Sequence, residues 1–132
     1  MPAVGDVYFG TYNYEDGGAS PKLIVLLYID AEHDVAISCL VTKHEIKKDK
    51  ATNIGCRPLF QRFFIPPATG EFDINSFLEL SRNKIHKISD LDSAHDKIYK
   101  FRLSDQRMSE IKNCIKKISR DIPPDIFKLI TV

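Results

Sequence analysis

The chain has 132 residues, 43% of them hydrophobic and 28% charged, with a net charge of +1. This composition excludes a disordered chain, and the near-neutral balance excludes an overall field for nucleic acid, so any such binding rests on a local patch. The longest strongly apolar run, Leu23 to Ile29, is far short of the roughly 20 residues that span a bilayer, and the N-terminus lacks the basic-then-apolar order of a secretory signal; no membrane partner and a cytoplasmic setting are expected.

The length suits one domain over 1–132. Asp6 to Tyr12 alternates and is rich in Val, Tyr and Phe, which predicts a first strand. Glu15 to Pro21 holds two glycines and a proline and predicts a flexible loop. Lys22 to Ile29 is apolar throughout after its lysine, as in a strand buried on both faces. Turn formers at Asp30 to Asp34 lead to a third strand, Val35 to Val41, so the two strands read as a hairpin. Thr42 to Arg57 is polar, without a clean period, and predicts a long loop, a type that is usually functional or disordered. Leu59 to Ile65 resumes a strand and stops at Pro66-Pro67. Gly70 to Asn75 turns the chain. Ser76 to Leu80 and Asn83 to Ile88 read as two short strands or one bent strand, with Ile85 and Ile88 facing inward.

Asp90 to Asp96 predicts a polar bend. The clearest helix follows. Ser104 suits the N-cap, and Leu103 and Met108 sit at the staple positions around it. Met108, Ile111, Ile115 and Ile118 form one apolar stripe, and Pro123-Pro124 ends the helix. The elements together predict an α+β, mainly β fold: a small, partly open antiparallel β-barrel with a C-terminal amphipathic helix.

Cys39, Cys56 and Cys114 are odd in number, widely spaced and without a C-x-x-C pair. That argues against a disulfide framework or a zinc knuckle and predicts buried or idle thiols in a reducing compartment. His33, His44, His86 and His95 have no metal-ligand spacing, so neither a metal nor a cofactor is expected. His86 reads as a strand side chain at a surface edge.

A different cluster carries possible chemistry. In an antiparallel hairpin the start of one strand meets the end of the next. Thr42, Lys43 and His44 would then lie beside Ser20, Pro21 and Lys22 at one mouth of the barrel. Metal-free RNA cleavage needs a base for the ribose 2′-OH, a cation for the phosphorane and an acid for the leaving oxygen. His44 suits the acid or the base; Lys22, Lys43 and Thr42 suit phosphate oxygens. Lys43 and His44 are also what a solvated loop would carry.

Three stretches resemble the MazF/PemK family of toxin endoribonucleases. One is Val4-Gly5-Asp6-Val7-Tyr8-Phe9, a Gly-rich loop, then Pro21-Lys22-Leu23-Ile24-Val25-Leu26. Another is Ala36 to Thr42, a strand ending in threonine where the family keeps its catalytic threonine. The third is Asp73 to Leu80, then Lys84 to Ile88 and Leu103 to Met108. The resemblance covers about nine-tenths of the chain in order. Where the family carries a catalytic Arg before the proline of strand 2, this chain has Ser20, and a serine lacks the bidentate cationic contact of a guanidinium. Lys22, Lys43, Arg57 and Arg62 are the candidate substitutes.

The resemblance implies a type II toxin that cuts single-stranded RNA in a sequence-specific, metal-independent way. It also implies a homodimer and a cognate antitoxin whose disordered acidic segment folds into the RNA groove. Ser20, Lys47, Lys48, Lys50, Arg57 and Arg62 are the expected RNA contacts, although a basic run of this kind also suits a solvated loop. The missing arginine equally suits a catalytically silent RNA- or peptide-binding module on the same scaffold. A gyrase poison like CcdB shares the fold, but its Trp- and Gly-rich helix end has no counterpart here.

Overall fold

The computed structural model describes residues 2–13, 17–44, 53–93 and 97–132. Within them the strands are β1 (Asp6–Asn13), β2 (Ala19–Asp30), β3 (Val35–Thr42), β4 (Gly55–Arg57), β5 (Arg62–Ile65), β6 (Ser76–Lys87) and β7 (Lys97–Arg102). Three helices, α1 (Ile88–Ser93), α2 (Asp105–Lys116) and α3 (Pro124–Ile130), accompany them. The strands form one antiparallel sheet in the order β4-β5-β6-β3-β2-β1-β7. The fold is therefore α+β and mainly β. The sheet is open: β4 and β7 end the order and do not pair with each other.

Side-chain alternation sorts the residues onto two faces. Val25, Ile37, Cys39, Val41, Leu78 and Leu80 join the larger core, which α2 and α3 cover with Ile111, Ile115 and Ile130. Ile24, Leu26, Ala36 and Leu40 point the other way and meet Ile88 and Leu91 of α1. Between Leu26 and Tyr28 the β2–β3 register shifts by a bulge, which lets Leu27 and Tyr28 both pack against the larger core.

Ser104 caps α2 by accepting from the Arg107 backbone N–H at 3.1 Å, and Leu103 and Met108 are both buried beside it. Gly5 sits at φ +93, where an added Cβ would meet the Leu103 carbonyl oxygen at 3.0 Å and Met108 Cγ at 3.1 Å. Only glycine fits that approach. The neighbouring Asp6, 2% exposed, accepts from the Ala3 amide at 2.8 Å and from Arg102 Nε at 2.6 Å. The Gly5-Asp6 pair thus fastens the N-terminus to β7 and α2.

Several expectations are corrected. The paired prolines end no helix directly; α2 stops at Lys116, and Pro124 opens α3 at its first turn, where its missing N–H costs nothing. The bend from Asp90 begins as α1, and 94–96 lie outside the described residues. Leu59 belongs to a 3₁₀ turn, 86% exposed, rather than to β5. Of the two readings of Ser76 to Ile88, the single bent strand holds: β6 has a bulge where its register with β3 jumps from Asn83 to Glu79. Ile88 is buried, but Ile85 is 60% exposed because the larger core ends short of it.

The cysteine reading is also overturned. Cys56 of β4 and Cys114 of α2 form a disulfide with a Cα–Cα distance of 5.4 Å, the kind of bond that persists in oxidising surroundings. Only Cys39 is a free thiol, and burial pushes its pKa up to about 12, with the Glu79 carboxylate adding to the effect. The odd count concealed one pair and one core thiol. No helix among the described residues is long and apolar enough to cross a membrane.

The disulfide closes a sequence separation of 58 residues, so Cys56→Ala is expected to lower the unfolding free energy by about 4 kcal/mol from lost loop constraint. Urea unfolding measures this, and thiol titration of denatured, unreduced protein should detect Cys39 alone.

Candidate functional site

The hairpin geometry brings the start of β2 against the end of β3: Leu23 pairs with Val41. A cleft of about 420 Å³ opens there. Lys22, Thr42 and Lys43 line it, the segment before β6 supplies Asp73 and Ile74, and β6 supplies its first residue, Ser76. Phe9 of β1 closes one side and is 37% exposed; Ile74 is 53% exposed. The cleft therefore combines two ammonium groups, two hydroxyls and one carboxylate with an accessible apolar wall.

Each wall has its own anchor. Thr42, 7% exposed, is the last residue of β3 and pairs with Phe77 of β6. Its Oγ1 accepts from the His44 backbone N–H at 3.2 Å, which bends the chain after the strand and leaves the hydroxyl proton to donate. On the opposite wall, Phe72 is buried edge-to-face against Phe101, centroids 5.2 Å apart. Glu71 receives a forked contact from Arg107 of α2, with Nε and Nη2 both donating to Oε1 at 3.0 and 2.8 Å. That charge-assisted fork fixes the segment carrying Asp73 to the helix. Ser76 donates to the Ile74 carbonyl at 3.0 Å, so its hydroxyl holds the wall's backbone.

The other expected residues separate. His44 follows Lys43 on an exposed turn, and its side chain is not among those lining the cleft. Ser20 is half-buried in β2 beside Pro21 and also stands outside the lining. Arg57 lies in β4, opposite Arg62, away from the cleft. Lys47, Lys48 and Lys50 lie outside the described residues, as does His95.

Arg62 departs most from its expected role as an RNA contact. It is 6% exposed. Nη2 donates to Glu79 Oε1 at 3.1 Å, Nη1 donates to the His44 carbonyl at 2.8 Å, and the guanidinium lies 5.0 Å from the Phe77 ring centroid. Its charge is spent internally, where it holds the Thr42–His44 turn in place. The alternation of β5 held the signal: Arg62 shares the face of Phe64, not an outer edge.

Sequence reasoning missed Asp73, Ser76 and the apolar wall, because the turn-forming run Gly70 to Asn75 gave no sign of which strand end it would face. It also missed the partner of His86. His86 Nε2 lies 2.8 Å from Ser38 Oγ, and Ser38 is buried. Burial holds the His86 pKa down at about 4, assisted by the charges of Lys84 and Lys97 and opposed by Asp90. Among the described residues no three His, Cys, Asp or Glu side chains converge as a metal site requires.

No family model matches the chain, and no curated protein matches it. The chemistry of the cleft alone bears on function.

Two outcomes follow from these contacts. Arg62→Ala leaves Glu79 and the His44 carbonyl without their cation, and is expected to destabilise the fold by about 3 kcal/mol; exposed Lys43→Ala should change stability by no more than about 0.5 kcal/mol. Denaturant unfolding of both separates a structural cation from a surface one. For His86, the unfolded ring titrates near 6.5 and the folded ring near 4, so the unfolded chain takes up the proton first. Stability is full above pH 6.5 and is lost as the pH falls toward 4, by on the order of 2 kcal/mol for a half-buried ring. Urea unfolding near pH 7 and near pH 4.5 measures that loss, which should shrink in His86→Gln.

Proposed function

We propose that the chain is a toxin-type endoribonuclease that cuts single-stranded RNA in the β2–β3 cleft without a metal. The observation that carries this reading is the convergence of Lys22, Thr42, Lys43 and Asp73 on one hollow. Lys22 and Lys43 supply positive charge where a phosphorane would gather negative charge, and Thr42 supplies a hydroxyl donor. The exposed Phe9 and Ile74 give an unpaired base an apolar surface, as single-strand binders do. The ribose 2′-oxygen attacks the adjacent phosphorus, the bond to the 5′-oxygen breaks, and a 2′,3′-cyclic phosphate and a 5′-hydroxyl result. Asp73 takes the 2′ proton, and His44, exposed just beyond the cleft lining, returns one to the leaving oxygen.

On this reading the chain is a type II toxin of MazF/PemK character, its sheet a barrel-like relative of that family's. It acts as a homodimer in the cytoplasm, and an antitoxin with a disordered acidic segment competes for the same groove.

One observation favours a second reading, a catalytically silent RNA- or peptide-binding module. No arginine lines the cleft: Ser20 stands where the family has its guanidinium, and Arg62 is buried against Glu79.

Incubation of pure protein with long single-stranded RNA in EDTA decides between them. The nuclease reading expects discrete fragments with 5′-hydroxyl ends, and a rate at least about a hundredfold lower for Thr42→Ala. Equal cleavage by Thr42→Ala removes the site assignment. Intact RNA throughout, with a salt-sensitive gel shift, selects the silent module.

A further inference from the structure

A second hollow lies on the far side of Lys22. Lys84 and His86 of β6, Lys97 of β7 and Thr11 of β1 line it with Lys22. Three strands, β3, β2 and β1, separate β6 from β7 in the sheet order, so the sheet curls enough to bring them over one depression. Three lysines from three strands share it, and its lining among the described residues is otherwise Gly10, Thr11, Ile24 and His86. Asp90 of α1 is the carboxylate whose charge reaches His86. Lys97 Nζ donates to the Thr11 carbonyl at 3.4 Å, which holds one ammonium group on the rim.

The hollow is small, about 10 Å³, about the space of one water. A metabolite does not fit inside it; one or two oxygens of an anion lying across the surface do. His86 adds a neutral imidazole, held in place by the hydrogen bond that its Nε2 shares with Ser38 Oγ at 2.8 Å. Clustered ammonium groups beside a neutral imidazole suit a phosphate, and the shared Lys22 joins this hollow to the Thr42 cleft.

We propose that the Lys22–Lys84–Lys97 hollow is a second phosphate subsite, which holds a backbone phosphate of the same single-stranded RNA that occupies the cleft. The proposal rests on the RNA reading of the cleft and adds the path of the strand: across β2 and over the curled face toward β6 and β7.

The test compares Thr42→Ala protein with the same protein carrying Lys84→Gln and Lys97→Gln, using a short single-stranded RNA across a salt series. Loss of one phosphate contact is expected to weaken binding about tenfold at low salt and to flatten the slope of log affinity against log salt by about 0.7. Lys84→Arg with Lys97→Arg should retain both. In the protein with native lysines, the His86 ring resonances should move on adding RNA or inorganic pyrophosphate, a readout independent of how the variants fold. Unchanged affinity and slope in the glutamine variant overturn the subsite and leave the cleft reading standing. Absence of RNA binding by wild type removes the cleft reading and the strand path with it. Pyrophosphate then decides the hollow separately: shifted His86 resonances keep it as a phosphate site, and unshifted ones overturn that as well.

Discussion

β3 has to be buried on both faces, and the rest of the molecule follows from that. From Ala36 to Thr42 every residue is buried, with β2 on one side and β6 on the other. Ile37, Cys39 and Val41 require one cover, and α2 and α3 supply it. Ala36 and Leu40 require another, and the sheet meets that need by curling and adding α1. A strand held so tightly cannot slip register without sending each side chain to the wrong face. That is why the end of β3, and Thr42 with it, is a fixed point on which a site can be built.

The polar groups of the second face are arranged around the same strand. Ser38 meets His86, Glu79 opposite Leu40 meets Arg62, and Thr42 meets the His44 amide. Buried polar groups without partners cost the fold dearly, and these contacts satisfy Ser38, Glu79 and Thr42. Arg62 joins two of these arrangements. It neutralises Glu79 and holds the His44 carbonyl, which makes it a positioning residue for the turn carrying Lys43. An arginine chosen from its charge as a substrate contact thus proves to be part of the frame that presents other charges.

The hairpin was legible because its signals are local: continuous apolar residues in β2, a second short apolar-rich run from Val35 to Val41 and turn formers at Asp30 to Asp34. The meeting of Lys22 with Thr42 and Lys43 followed from antiparallel geometry alone. The cap at Ser104 was legible for the same reason. What stayed hidden depends on distant contacts. Nothing near Cys56 announces Cys114, and nothing near Asp73 announces that Glu71 will be gripped by Arg107 across the fold. The α3 helix hid behind prolines that both end and begin helices, and Ile85 looked like core because alternation does not report where a core stops.

The disulfide explains how the far edge of the sheet survives. β4 has three residues, too few to persist as an edge on ladder bonds alone, and the chain beside it exposes Leu59 and Ile54. A covalent link to α2 supplies the order that packing does not. The same link bears on setting. In a reducing compartment Cys56 and Cys114 stand as two thiols and β4 loses its tether. The cleft keeps its own supports, since Lys22, Thr42 and Asp73 are held through β2, β3 and the Glu71–Arg107 fork. β4 and its Arg57 are therefore the parts that redox state reaches, and the cleft is the part it spares.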